Sequence, residues 1–217
     1  MSLGIDTLIT GGTGYMGRAL VPALIARGHR VRVLARAGSI GRVPKGASAV
    51  TGDALVADSF ASALDSGTTL VHLVGTPRPT PSKAAEFERV DLASIRASVD
   101  AAKRSGIAHL VYVSVAQPAP IMQAYISARQ AGEAAIASAG LCATILRPWY
   151  VIGPGHRWPI ALVPFYAIAE WFPATRESAR RLGLVTLSQM VAALVRAIET
   201  PPAAGQRRID VAAIRSA

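Results

Sequence analysis

Short apolar runs alternate with stretches whose apolar residues recur every three or four positions, and this alternation organises most of the chain. Ile5 to Thr10 reads as a first strand. Tyr15 to Arg27 follows as a helix with Met16, Leu20, Leu24 and Ile25 on one face, stopped by Gly28. Val31 to Arg36 and Ala49 to Thr51 are the next strands, Phe60 to Leu64 a short helix, and Thr69 to Val74 a fourth strand. The loop Pro77-Arg78-Pro79-Thr80-Pro81 precedes a long helix, Ala84 to Arg104, that turns Leu92, Ile95, Val99 and Ala102 inward. His109 to Ser114 is a fifth strand, Gln123 to Ser138 a helix, and Leu141 to Leu146 a sixth strand. Past Arg147-Pro148 the alternation loosens, until Ser188 to Ile198 reads as an amphipathic helix and Arg207 to Val211 as a last strand. Strands alternating with helices argue βαβ units, hence an α/β fold with a doubly wound parallel sheet, in a single domain over residues 1–217. Residues 148–186 are expected to form a small C-terminal substrate or partner region.

The turn between the first strand and the first helix carries the chemistry. It reads Thr10-Gly11-Gly12-Thr13-Gly14-Tyr15-Met16-Gly17. Glycine suits positions where a turn needs positive φ, where backbone approaches a pyrophosphate, and where helix and strand pack closely. A helix N-terminus adds free N–H groups and a partial positive charge for the phosphates. Placed after a strand and at the head of a helix, the motif predicts a Rossmann-type dinucleotide site built on Gly11, Thr13, Gly14, Tyr15, Met16 and Gly17. No Gly-Lys-Ser/Thr follows, which disfavours a nucleoside triphosphate loop.

With its Gly11-x-x-Gly14-x-x-Gly17 spacing the chain resembles the short-chain dehydrogenase/reductase superfamily, closest to the epimerase/dehydratase-like and NmrA-like branches. The resemblance covers about residues 4–157 and extends to Gly52-Asp53, Val71-His72-Leu73-Val74-Gly75, Leu110-Val111-Tyr112-Val113-Ser114, Leu146-Arg147-Pro148 and Gly153-Pro154-Gly155. It implies that Asp53 contacts the adenine and that Val74, Gly75 and Pro148 line the cofactor; a plain turn aspartate is the competing reading of Asp53.

The second strand ends in Ala35-Arg36, where an NAD-preferring site places an acid for the ribose hydroxyl. No acidic residue occurs between Asp6 and Asp53. Arg36 is therefore assigned to the 2′-phosphate of NADP, with Arg42 or Arg18 as helpers and NAD as the alternative cofactor. Arg27, Arg30 and Arg32 read as a basic outer face.

In the superfamily a Tyr-x-x-x-Lys pair on one helix face works with a serine at the end of the preceding strand. The lysine binds the ribose and lowers the tyrosine pKa, and the tyrosine moves a proton while hydride moves. Here Ser114 ends the strand and Tyr125-Ile126-Ser127-Ala128-Arg129 stands in place of the pair. Arg129 keeps the charge and donors for a ribose but cannot relay protons. The resemblance thus implies an NADP-dependent oxidoreductase using Tyr125, Arg129 and Ser114. The alternative is a cofactor-binding sensor or assembly protein, as among NmrA-like and complex I-associated members.

Composition narrows this further. The net charge is +10, carried almost wholly by arginine, yet no Lys/Arg run, zinc finger or aromatic RNA-binding motif appears, so nucleic acid is not an expected partner. The single cysteine, Cys142, forms no internal disulfide and reads as inert core. Four histidines lack metal-ligand spacing, so no metal is expected; His72 and His109 read as structural and His156 as a substrate-loop contact. Ser188 reads as a helix cap. Met1 to Thr10 lacks signal-peptide character, and the Trp158 to Pro173 stretch is shorter than a membrane span of about 20 residues and holds Pro159, Pro164 and Glu170. A cytoplasmic setting follows as the expectation. Trp149, Tyr150, Trp158, Phe165, Tyr166, Trp171 and Phe172 give residues 148–186 an apolar character suited to an apolar small molecule or another protein.

Overall fold

The computed structural model describes residues 4–154 and 182–217. Nine strands run along them: β1 (Asp6–Thr10), β2 (Arg30–Ala35), β3 (Ser48–Thr51), β4 (Thr68–His72), β5 (His109–Val113), β6 (Ala143–Leu146), β7 (Tyr150–Ile152), β8 (Leu184–Thr186) and β9 (Gln206–Ile209). Seven form one sheet in the order β3-β2-β1-β4-β5-β6-β9, parallel throughout. The helices are α1 (Tyr15–Ala26), α2 (Ala84–Glu86), α3 (Ala93–Ser105), α4 (Gln123–Ser138), α5 (Leu187–Glu199) and α6 (Val211–Arg215).

Both faces of the sheet are covered, which is why its strands read as near-continuous apolar runs. Successive side chains point to opposite faces. Ile9, Val33, Val71, Val111 and Val113 join a core with Leu20, Val21 and Leu24 of α1 and Met190, Leu194 and Ile198 of α5. Leu8, Leu34, Leu70, Leu110, Tyr112 and Ile145 join a second core with Ile95, Val99 and Ala102 of α3 and Ile136 of α4. The fold is the doubly wound Rossmann type. Strand order reverses between β1 and β4, and in such sheets ligands bind in the crevice at the carboxyl ends of the strands flanking that reversal.

Several local expectations change. The segment at Phe60 is two 3₁₀ turns, Ala57–Ser59 and Ala61–Ala63, that seat the fully buried Phe60 between them. The long helix widens into a π-helical stretch, Phe87–Leu92, between α2 and α3. The last strand stops at Ile209, because the Asp210 carboxylate accepts from the Ala213 amide at 3.0 Å and starts α6 at Val211. Thr186, not Ser188, caps α5: its hydroxyl accepts from the Gln189 amide and the Gln189 side chain accepts from the Thr186 amide. Cys142 lies half-buried just before β6, its thiol facing the Pro202 carbonyl at 3.3 Å. Of the C-terminal region, β7 and β8 pair in parallel as a separate small sheet, and Trp149 and Tyr150 meet edge to face. Gly155, His156, Trp158, Phe165, Tyr166, Trp171 and Phe172 lie outside the described residues. Among the described residues no helix is long and apolar enough to cross a membrane.

His72 and His109 are buried in β4 and β5 and bind hydroxyls, Thr10, Ser98 and Ser94 for the first and Thr144 for the second. Burial, reinforced by Arg129, pushes the His72 pKa from 6.5 down to about 3; burial, reinforced by Arg207, pushes His109 down to about 4. The folded state refuses protons that the unfolded chain accepts. Their contribution is complete above pH 6.5 and lost as pH falls from there through about 4 and 3. Stability should fall by up to about 1.4 kcal/mol per pH unit for each histidine over that range. Urea midpoints measured from pH 7 to 4 check this; a His109→Gln variant should show the shallower decline, and equal slopes would count against the assignment.

Candidate active site

The candidate site residues follow the carboxyl ends of β1 to β6, on either side of the reversal between β1 and β4. After β1 the turn is tight: Gly14 N–H donates to the Gly11 carbonyl at 2.9 Å. Gly11 has φ +77°, and a Cβ there would lie 2.8 Å from the Leu73 carbonyl carbon, so the turn abuts the segment that leaves β4. A Cβ on Gly17 would collide with Gly12, which lets α1 close onto the turn. Gly14 differs: it has φ −82°, and its Cβ would meet only the Gly11 oxygen, at 3.1 Å. It forms the N-terminus of α1, whose first turn holds no acid and whose N-cap supplies no side-chain hydrogen bond. A helix N-terminus without an acid or a side-chain cap is a place where an anion is favoured. Thr13, Tyr15 and Met16 are half-buried along the same turn.

The arginines between Asp6 and Asp53 sort themselves. Arg30 and Arg32 donate to Asp6, and Arg27 to Glu199. Arg18 donates to the Thr13 carbonyl at 2.9 Å and Arg42 to the Ser39 hydroxyl at 2.6 Å. Arg36 follows β2, is exposed, and has no acid or hydroxyl partner among the described residues. Asp53 follows β3; its carboxylate accepts from the Leu55 amide at 3.0 Å, the turn geometry weighed above as the competing reading.

Tyr125 is half-buried near the start of α4, edge-on to Phe87 with ring centroids 5.0 Å apart. Arg129 lies one turn on, its guanidinium carbon 5.2 Å from the Tyr125 ring centroid. The expected pair is therefore adjacent. The guanidinium, however, is turned inward and only 5% exposed. Its Nη2 donates to Asp91 at 2.6 Å and its Nη1 to the Val113 carbonyl at 3.0 Å. It also fills the space a side chain at Gly75 would need, and lies 3.5 Å from the Val74 carbonyl.

Ser114 does not present its hydroxyl as expected. It donates to Glu133 of α4 at 2.6 Å and is 3% exposed. Strand alternation explains this. Val111 and Val113 face α1 and α5, whereas Leu110 and Tyr112 face α3 and α4, and Ser114 continues the second parity. Glu133 also accepts from Gln117 at 3.0 Å and from Arg147, which leaves β6 toward the buried Pro148.

Residues 11–155 match the family described as NAD(P)H-binding. The chain belongs to that family. It is 29% identical over 195 residues to a ceramide reductase of Caulobacter vibrioides, covering 89% of this chain and 61% of that protein. It is 31% identical over 174 residues to a 3-diazoavenalumate denitrifying reductase of a Streptomyces species, covering 68% of this chain and 57% of that protein. The chain thus spans about three fifths of the length of these relatives. Among solved structures it resembles UDP-N-acetylglucosamine 4-epimerase of Bacillus cereus, with a TM-score of 0.70 and 21% identity over 95% of this chain and 79% of that one, a likeness of fold.

This NAD(P)H-binding protein also carries buried acids that the sequence reading passed over. These are Asp91 and Glu133, each nine-tenths or more buried, as is Thr76, which donates to Asp91. A signal existed: Asp91 stands four residues before Ile95 on the face assigned to the core, and Glu133 four after Arg129. An apolar recess of about 580 Å³ lies between α1 and α5, lined by Ala19, Ile152, Gly153, Pro154, Leu187 and Val191 with the Thr186 and Ser188 residues at its side. Among the described residues no cluster of His, Cys, Asp or Glu is arranged to hold a metal.

Proposed function

We propose that this chain binds NADP(H) and reduces an apolar carbonyl compound, with Tyr125 as proton donor. The observation that carries the cofactor reading is the uncapped, acid-free N-terminus of α1 at the end of β1, together with Arg36, which follows the neighbouring β2 and has no acid or hydroxyl partner among the described residues. Gly11, Thr13, Gly14, Tyr15 and Met16 would hold the pyrophosphate, Gly17 the close packing beneath it, Arg36 the 2′-phosphate, and Asp53, Val74, Gly75 and Pro148 the flanks. NADPH, when bound, supplies the hydride. Tyr125 gives its phenolic proton to the substrate oxygen, and Arg129 sets the tyrosine's position from below. The ceramide reductase relative supports an apolar substrate.

Titrating the protein with NADPH and NADH tests the cofactor. NADPH should bind more tightly by about 1 kcal/mol or more, the scale of a charge-assisted phosphate contact, and Arg36→Asp should abolish or reverse the preference. Equal affinities sink the assignment. Gly14→Val should abolish NADPH binding while the thermal midpoint drops by only a few degrees, because φ −82° suits valine and its one close neighbour is a single carbonyl oxygen. Undiminished binding by that variant would move the site elsewhere. A carbonyl and quinone panel read by NADPH oxidation tests turnover.

The second reading is a cofactor-binding protein without turnover. It is favoured by one feature: the Ser114 hydroxyl and the Arg129 guanidinium are both committed to internal carboxylates. NADPH binding with no oxidation across the panel selects it.

A further inference from the structure

One carboxylate at the site serves neither as cofactor contact nor as acid in the proposed reaction. Asp91 lies in the π-helical stretch, 1% exposed, and its two oxygens serve different elements. Oδ1 accepts from Arg129 Nη2 of α4 at 2.6 Å. Oδ2 accepts from both the amide and the hydroxyl of Thr76, at 2.9 and 2.6 Å. Thr76 ends the short segment leaving β4, which begins at Leu73, against Gly11. Arg129 lies beneath that segment and against the Tyr125 ring. A continuous chain of contacts therefore runs from the glycine-rich turn through Leu73–Thr76, Asp91 and Arg129 to Tyr125.

The residue type fits a joint of this kind. An ionised carboxylate is acceptor-only at both oxygens, so it takes all three donors at once; an amide of the same shape would turn a donor toward one of them. Stability alone does not call for the ion pair, since a well-packed apolar pair commonly serves a fold as well. What the charged pair adds is a defined geometry between two elements that share no backbone hydrogen bonds.

We propose that Asp91 is a positioning residue that locks the Leu73–Thr76 segment to the helix bearing Tyr125, so that the cofactor floor and the proton donor are held as one body. The proposal rests on the cofactor site placed above, and its test separates the two. Hydrogen exchange is read on the apo protein alongside NADPH titration. Asp91→Asn should raise exchange both at residues 73–76 and at the first turns of α4. Thr76→Val should raise it at 73–76 alone, with the thermal midpoint lowered by only a few degrees, and Thr76→Ser should restore protection. Where the parent binds NADPH, Thr76→Val should weaken binding about tenfold, the scale of one lost hydrogen bond to a charged group, and Thr76→Ser should not. Parental exchange at 73–76 in both Asp91→Asn and Thr76→Val overturns the joint, as does parental NADPH affinity in both. A parent that fails to bind NADPH refutes the cofactor reading instead, and the exchange data still decide the joint.

Discussion

Tyr125→Phe should lower turnover by ~10²-fold or more, the usual scale of a lost acid–base group, while NADPH affinity changes little. The phenyl ring keeps the edge-on contact with Phe87 and the face offered to Arg129, so the substitution removes the hydroxyl and leaves the packing. Steady-state rates with the best substrate of the panel, beside a direct NADPH titration, measure the two separately. Full activity in the variant would show that another group donates the proton. Arg129→Lys keeps a cation within reach of Asp91 but gives up the donor to the Val113 carbonyl, so it should be tolerated better than Arg129→Ala.

The largest effect on stability should come from breaking the Arg129–Asp91 pair from one side. Asp91→Leu leaves a guanidinium buried without its counter-charge, which costs roughly 3–5 kcal/mol. In a domain of this size that lowers the thermal midpoint by about 10 °C or more. Removing both charges, in Asp91→Leu/Arg129→Met, should recover only part of the loss, because no ion is orphaned but the buried Thr76 amide and hydroxyl still lack their acceptor. A melting curve for each variant decides it; a single variant as stable as the parent would mean the guanidinium finds water or another acceptor.

The architecture was legible because its signals are local. Apolar runs of strand length, a glycine-rich turn at the first crossover and an arginine closing the second strand all lie in short windows, and β1 to β6 fall within a residue or two of where the pattern put them. Tyr125 and Arg129 were placed side by side for the same reason, being one helical turn apart. What stayed hidden depends on facing. Ser114 was assigned by its place at a strand end, but its direction follows from parity across five residues and from an acid nineteen positions away. Asp91 was masked by the even texture of a long helix, since a sequence does not show where a helix widens. The end of β9 turned on a single cap, Asp210, read instead as part of a strand. His156 and the aromatic residues beyond Trp158 lie outside the described residues.

The wide turn at Phe87–Leu92 has a consequence for length variation. A π-helical stretch amounts to one residue more than a regular α-helix accommodates over the same span, and such stretches occur often at functional sites. Deleting one residue there would let the helix close to a uniform α winding. Everything N-terminal to the deletion would then rotate by about 100°, the angle of one residue in 3.6 per turn. Phe87 would swing off the Tyr125 ring while Ile95 and Val99 kept their seats in the core. Single-residue deletions scanned from Glu88 to Val90, which leave Asp91 on the Arg129 side, should therefore leave a folded protein whose tyrosine has lost its neighbour, an effect that no substitution at the same positions reproduces.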